Sequence, residues 1–100
     1  MTGHEFQSND VGAEILKQLA DDPRKQNFWA GYLRGIRRNY YGETFGTDEE
    51  HETWMALADD RQDIGDGYRA GVHGVSVQDA LKDRGRDRQP IRMALELPLI

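Results

Sequence analysis

Apolar residues recur along the chain in short helical stripes divided by capping and breaking residues. Val11, Ile15, Leu16, Leu19 and Ala20 fall on one helical face. This predicts a first helix opening at Asn9 or Asp10, either of which can accept from free first-turn amides, with residues 1–8 frayed ahead of it. Asp21-Asp22-Pro23 stops that helix and starts the next, with Asp22 as N-cap and Pro23 as the first helical residue. In the second helix Phe28, Trp29, Tyr32, Leu33, Ile36 and Tyr40 form the inward stripe, and Gly42 suits the left-handed position past its end. Thr47-Asp48-Glu49-Glu50 reads as a capping box with an acidic first turn, so a third helix starts there and turns Trp54, Leu57 and Ala58 inward. A fourth helix holds Ile64, Tyr68 and Val72 and ends near His73-Gly74. A short fifth opens at Ser76-Val77-Gln78-Asp79, with Val75 packed on Ala80 as a hydrophobic staple.

The period then changes. Ile91, Met93, Leu95, Leu97 and Leu99 alternate with Arg92, Ala94, Glu96 and Pro98, which predicts an extended, half-buried segment over 90–100. Its strand partner would be Glu5-Phe6-Gln7, and a short helix opened by Pro90 is the rival reading. The predicted architecture is therefore all-α: one domain over 1–100, a compact bundle of four to five short helices with a C-terminal extended segment.

One internal echo stands out. Gly31-Tyr32-Leu33-Arg34-Gly35-Ile36 and Gly67-Tyr68-Arg69-Ala70-Gly71-Val72 share the pattern Gly-Tyr-x-x-Gly-aliphatic. A glycine inside a helix costs on the order of 1 kcal/mol against alanine. Two pairs at a spacing of four point to a compensating close approach, so helices 2 and 4 are predicted to cross at these glycines with Tyr32 and Tyr68 beside them.

Composition sharpens the picture. The chain has 100 residues, 31% of them charged and 37% hydrophobic, which allows only a small core. It has no cysteine, which excludes disulfides and thiolate metal sites and suits a reducing bacterial cytoplasm. No run of the sequence is long and apolar enough to span a bilayer, so no membrane partner is expected.

The net charge of −5 comes in blocks. Arg24, Lys25, Arg34, Arg37 and Arg38 stand in a stretch without acids. Glu43, Asp48, Glu49, Glu50, Glu52, Asp59, Asp60, Asp63 and Asp66 follow, against Arg61 alone. Either the blocks attract each other within the fold, or the acidic block faces a basic partner.

Catalytic and cofactor signatures are missing. Met55 stands four residues after His51, so a helical zinc pair fails. His4, His51 and His73 lack ligand spacing, and each is expected to be a surface or capping histidine. Residues 59–66 resemble a calcium loop superficially, but Arg61 stands where a ligand belongs and the late glutamate is missing. The expectation is a non-enzyme without cofactor or metal.

From Asn27 to Gly74 the chain is similar to small uncharacterised proteins of proteobacteria and their mobile elements. The residues are Phe28-Trp29-Ala30-Gly31-Tyr32, Arg37-Arg38, Gly42, Phe45-Gly46-Thr47, Glu50-His51, Trp54 and Gly67-Tyr68-Arg69-Ala70-Gly71. In size and acidity it also resembles phage-borne anti-CRISPR proteins. That resemblance implies a non-catalytic inhibitor of a bacterial RNA-guided surveillance complex, with carboxylates where phosphates would lie. No functional residue is carried over by position.

The candidate partner-binding residues are Glu49, Glu50, Glu52, Asp59, Asp60 and Asp63, which would meet the basic groove of a larger protein or ribonucleoprotein complex. A carboxylate can replace a phosphate because both offer paired anionic oxygens to arginine or lysine. One alternative is direct nucleic-acid binding through Arg34, Arg37, Arg38 and the arginines Arg84, Arg86, Arg88 and Arg92, which the overall acidity opposes. Another is a homodimeric structural module joined through the tail.

Overall fold

The computed structural model describes residues 1–60 and 62–82. The predicted C-terminal extended segment and Arg84, Arg86, Arg88 and Arg92 lie outside them. The fold is all-α. Helices α1 (Gly3–Leu19), α2 (Pro23–Tyr41), α3 (Asp48–Asp59) and α4 (Asp63–Val72) are joined by short connections, and Gly42–Thr44 forms a 3₁₀ turn between α2 and α3. A fifth helix, α5, covers residues 77–82.

Side-chain caps set most of the boundaries. Asp22 accepts from the Lys25 amide with Pro23 in the first turn of α2. Thr47 accepts from the Glu50 amide at 3.2 Å, and Ser76 accepts from the Asp79 amide at 3.1 Å. The capping box at Thr47 is half used, because the Glu50 carboxylate reaches Arg34 instead. Helix α4 ends in a Schellman motif: Val75 N–H donates to Ala70 and Gly74 N–H to Gly71. Gly74 has a φ of 75°, which a side chain would resist. Gly42 also has a positive φ, but its ψ of −147° lies outside the left-handed helical region predicted for it.

Helix α2 is the centre of the molecule. It buries Phe28, Trp29, Gly31, Tyr32, Leu33, Gly35 and Ile36. Helix α4 packs on one side of it and α1 on another, while α3 packs on α4.

The α2–α4 contact is the crossing read from the glycine echo. A Cβ on Gly31 would collide with the Ile64 carbonyl, and one on Gly67 would collide with the Phe28 carbonyl. Gly35 faces the Tyr68 carbonyl and Gly71 the Tyr32 carbonyl in the same way. Each glycine thus meets the carbonyl three residues before its counterpart, and the two helices run parallel about a local pseudo-two-fold axis. Backbone lies on backbone, and the Cα–H groups face carbonyl oxygens, a contact worth ~0.5–1 kcal/mol each. Gly65 makes a third close approach, against the backbone of Leu57 and Ala58 at the end of α3. So many glycines in ten residues do not break α4, because they occupy contact faces.

Helix α1 differs from its predicted form. It begins at Gly3 with Thr2 as N-cap, accepting from the Glu5 amide at 3.1 Å, so residues 3–8 are helical and Glu5-Phe6-Gln7 is no strand. The inward face is also rotated. Phe6 and Ala13 are buried, whereas Val11, Ile15 and Leu19 are exposed. Long-range contacts decide the rotation: Phe6 stacks on Tyr40 with centroids 4.4 Å apart, and Asp10 pairs with Arg37 at 2.9 Å. An apolar stripe inside the helix cannot reveal either partner.

The glycine crossing predicts a sharp contrast between substitutions. Gly67→Ala puts a methyl into a backbone carbonyl and should destabilise by roughly 3 kcal/mol, at the upper end of overpacking costs. Gly12→Ala, whose Cβ would stand 3.6 Å from Val77, should be neutral or stabilise by up to ~1 kcal/mol through helix propensity. Urea denaturation of the two variants measures the difference.

Candidate interaction surface

The two echo tyrosines, each one residue after a crossing glycine, point away from the contact and fasten the neighbouring segments. Tyr32 is fully buried, and its hydroxyl donates to the Val75 carbonyl at 2.6 Å, tying down the turn before α5. The Tyr68 hydroxyl lies 2.9 Å from His51 Nδ1 on α3. Trp54 stacks on the Tyr68 ring at 5.4 Å. Arg34 in turn lies over Trp54 at 5.2 Å and Phe45 at 5.5 Å. His51 and Trp54 are one turn apart on α3, so a single helix face seats both on Tyr68.

Above this seat the charges pair. The described bases of α2 are all engaged: Arg24 with Asp63 at 2.9 Å, Lys25 with Asp21 at 3.0 Å and Arg34 with Glu50 at 2.9 Å. Arg37 holds Asp10 and Glu14 of α1, and Arg38 holds Asp48 at 3.0 Å. Arg38 is the most covered of these. The attachment to Asp63 raises the pKa of the exposed Arg24 guanidinium further.

The structure therefore divides the six predicted partner-binding residues. Asp63 is largely covered and tied to Arg24, and Glu50 is half-exposed on Arg34. Asp59 remains mostly exposed, 3.8 Å from Arg69. Glu49, Glu52 and Asp60 are exposed and enter no ion pair among the described residues. The exposed set thus runs from Glu49 and Glu52 near the start of α3 to Asp59 and Asp60 at its end. The arginines offered for direct nucleic-acid binding, Arg34, Arg37 and Arg38, are all committed to carboxylates.

Two features are not evident from the sequence pattern. Asp48 carries no mark that separates it from its acidic neighbours, although it is the acid that holds Arg38. His51, expected as a surface or capping histidine, is the partner of a buried tyrosine. The signal available is its position three residues before Trp54, on the face that must meet α4. Among the described residues no three His, Asp or Glu side chains converge in a way that could hold a metal ion. No described helix is long and apolar enough to cross a membrane.

Comparison with known proteins adds one relative. No protein-family model matches the chain, and no solved structure matches it. It is 40% identical over 73 residues to a subunit of the Na(+)-translocating NADH-quinone reductase of Psychrobacter cryohalolentis, a match that covers 68% of this chain and 17% of that protein. The chain thus spans only a small part of the relative's length.

Burial pushes the Tyr32 and Tyr68 hydroxyls up from the usual tyrosine range, which has a consequence at high pH. A raised folded-state pKa stabilises fully below the unfolded value, near ~10, and that stability is lost as pH rises through the folded value. The urea midpoint should therefore fall steeply above about pH 10. Tyr32→Phe/Tyr68→Phe should start less stable at neutral pH, because the Val75 carbonyl loses its donor, and should show the shallower alkaline decline. A series of urea melts from neutral to strongly alkaline pH tests both statements.

Proposed function

We propose that the protein is a non-enzymatic binding protein whose outward α3 carboxylates occupy the basic nucleic-acid path of a larger complex. The observation that carries this reading is the charge division. The described bases of α2 are neutralised inside the fold, while Glu49, Glu52 and Asp60 remain exposed without a basic neighbour in any described ion pair. Such a surface steers toward arginine- and lysine-lined grooves and repels nucleic acid itself. The resemblance to anti-CRISPR proteins supplies the class of partner, a bacterial RNA-guided surveillance complex. The same division disfavours the direct nucleic-acid reading, since its helix 2 arginines are already paired.

The partial match to a subunit of an NADH-quinone reductase favours a second reading: the fold serves as a docking module within a multi-subunit reductase of that kind, with the same acidic face against another of its subunits. The two readings differ in the identity of the basic surface.

Competition against target DNA separates them. In a mobility-shift assay with a purified RNA-guided surveillance complex, the protein should displace duplex DNA, and less well as salt shortens the ~8 Å screening length. Glu49→Lys/Glu52→Lys should keep its circular dichroism and melting temperature and lose displacement at least tenfold. Full displacement by that folded variant would eliminate phosphate replacement by α3. Retention of DNA by the protein alone would favour direct binding.

A further inference from the structure

Helix α1 carries an apolar row that no described part of the fold covers. Val11, Ile15 and Leu19 are 60%, 51% and 73% exposed. They follow at intervals of four, so they share the face opposite Phe6 and Ala13. The charges of the helix are drawn off this face. Asp10 and Glu14 turn to Arg37 on α2, and Lys17 turns to Glu14 at 3.7 Å. The exposed residues of α1 from Gln7 onward are Gln7, Ser8, Val11, Ile15, Gln18 and Leu19, and none of them is charged. In a chain with 31% charged residues this is a conspicuously neutral strip.

We infer that this face of α1 pairs with the same face of a second copy of the chain, about a two-fold axis near Ile15. The charge distribution selects that occupant. Two copies of a chain with a net charge of −5 repel wherever their acidic surfaces meet. Along the α1 row two copies can approach without setting charged residues of the row against each other, since its exposed residues are uncharged. A two-fold contact also requires a self-complementary patch. A row centred on Ile15 meets that need, because antiparallel pairing sets Val11 against Leu19 of the second copy. Ser8, exposed beside the row, adds little bulk to it. Since α1 packs on α2 and α3 packs on α4, the pairing leaves both α3 faces free. The inference does not depend on what α3 binds.

The chain has no cysteine, so Ile15→Cys introduces a single thiol. In the full chain under mild oxidation it should form a disulfide dimer, because the two-fold axis brings the two positions within the ~7 Å that a disulfide can bridge. Thr53→Cys, exposed on α3, should stay monomeric. Sedimentation equilibrium should show a wild-type dimer, with Ile15→Glu raising the dissociation constant at least tenfold at unchanged circular dichroism. Leu19→Glu, at the most exposed position of the row, serves the same purpose if Ile15→Glu does not fold. A monomeric wild type at its solubility limit would overturn the inference. So would a folded glutamate variant that dimerises as tightly as the wild type. A monomer that Ile15→Glu destabilises would assign the row to the chain's own residues beyond Lys82, which also overturns it.

Discussion

Backbone-to-backbone contact between α2 and α4 is the constraint on which the other positions depend. Four glycines remove the side-chain layer that normally separates two helices, and each Cα then faces a carbonyl of the opposite helix. Parallel helices in such contact need a return segment between them, and the 3₁₀ turn with α3 supplies it. The contact also fixes Tyr32 and Tyr68, because each follows a crossing glycine directly. Their hydroxyls then reach outward to the turn before α5 and to α3. A crossing with larger residues would push the helices apart and carry both tyrosines off these partners.

Charge completes what the glycines begin. Helix α2 bears five bases and no acid; Lys25 pairs locally with Asp21, and carboxylates come to the four arginines from three other helices: Asp10 and Glu14 from α1, Asp48 and Glu50 from α3, and Asp63 from α4. Exposed pairs of this kind each contribute only about a few tenths of a kcal/mol. Their greater effect is on orientation. By drawing Asp10 and Glu14 to one flank of α1, Arg37 leaves the outer face neutral. By drawing in Asp48 and Glu50, Arg38 and Arg34 leave Glu49 and Glu52 outward. Two unlike surfaces result, a neutral apolar one on α1 and an acidic one on α3, with the α2–α4 pair between them.

What can be read from the sequence is what local chemistry decides. Caps at Asp22, Thr47 and Ser76 depend on an oxygen reaching an amide three residues on, and all three form as read. The glycine crossing is legible because the same pattern occurs twice, and a repeated helix-destabilising residue demands a packing reason. Tertiary structure alone settles the rotation of α1, where Phe6 finds Tyr40 and Asp10 finds Arg37 across more than twenty residues of chain. It also settles which carboxylates of the acidic block are spent inside, since Glu50 and Asp63 look no different in sequence from Glu49 and Asp60. A helical period names the residues that can share a face, but the direction of that face is fixed by partners on other helices, and here those partners are one stacked ring and four arginines.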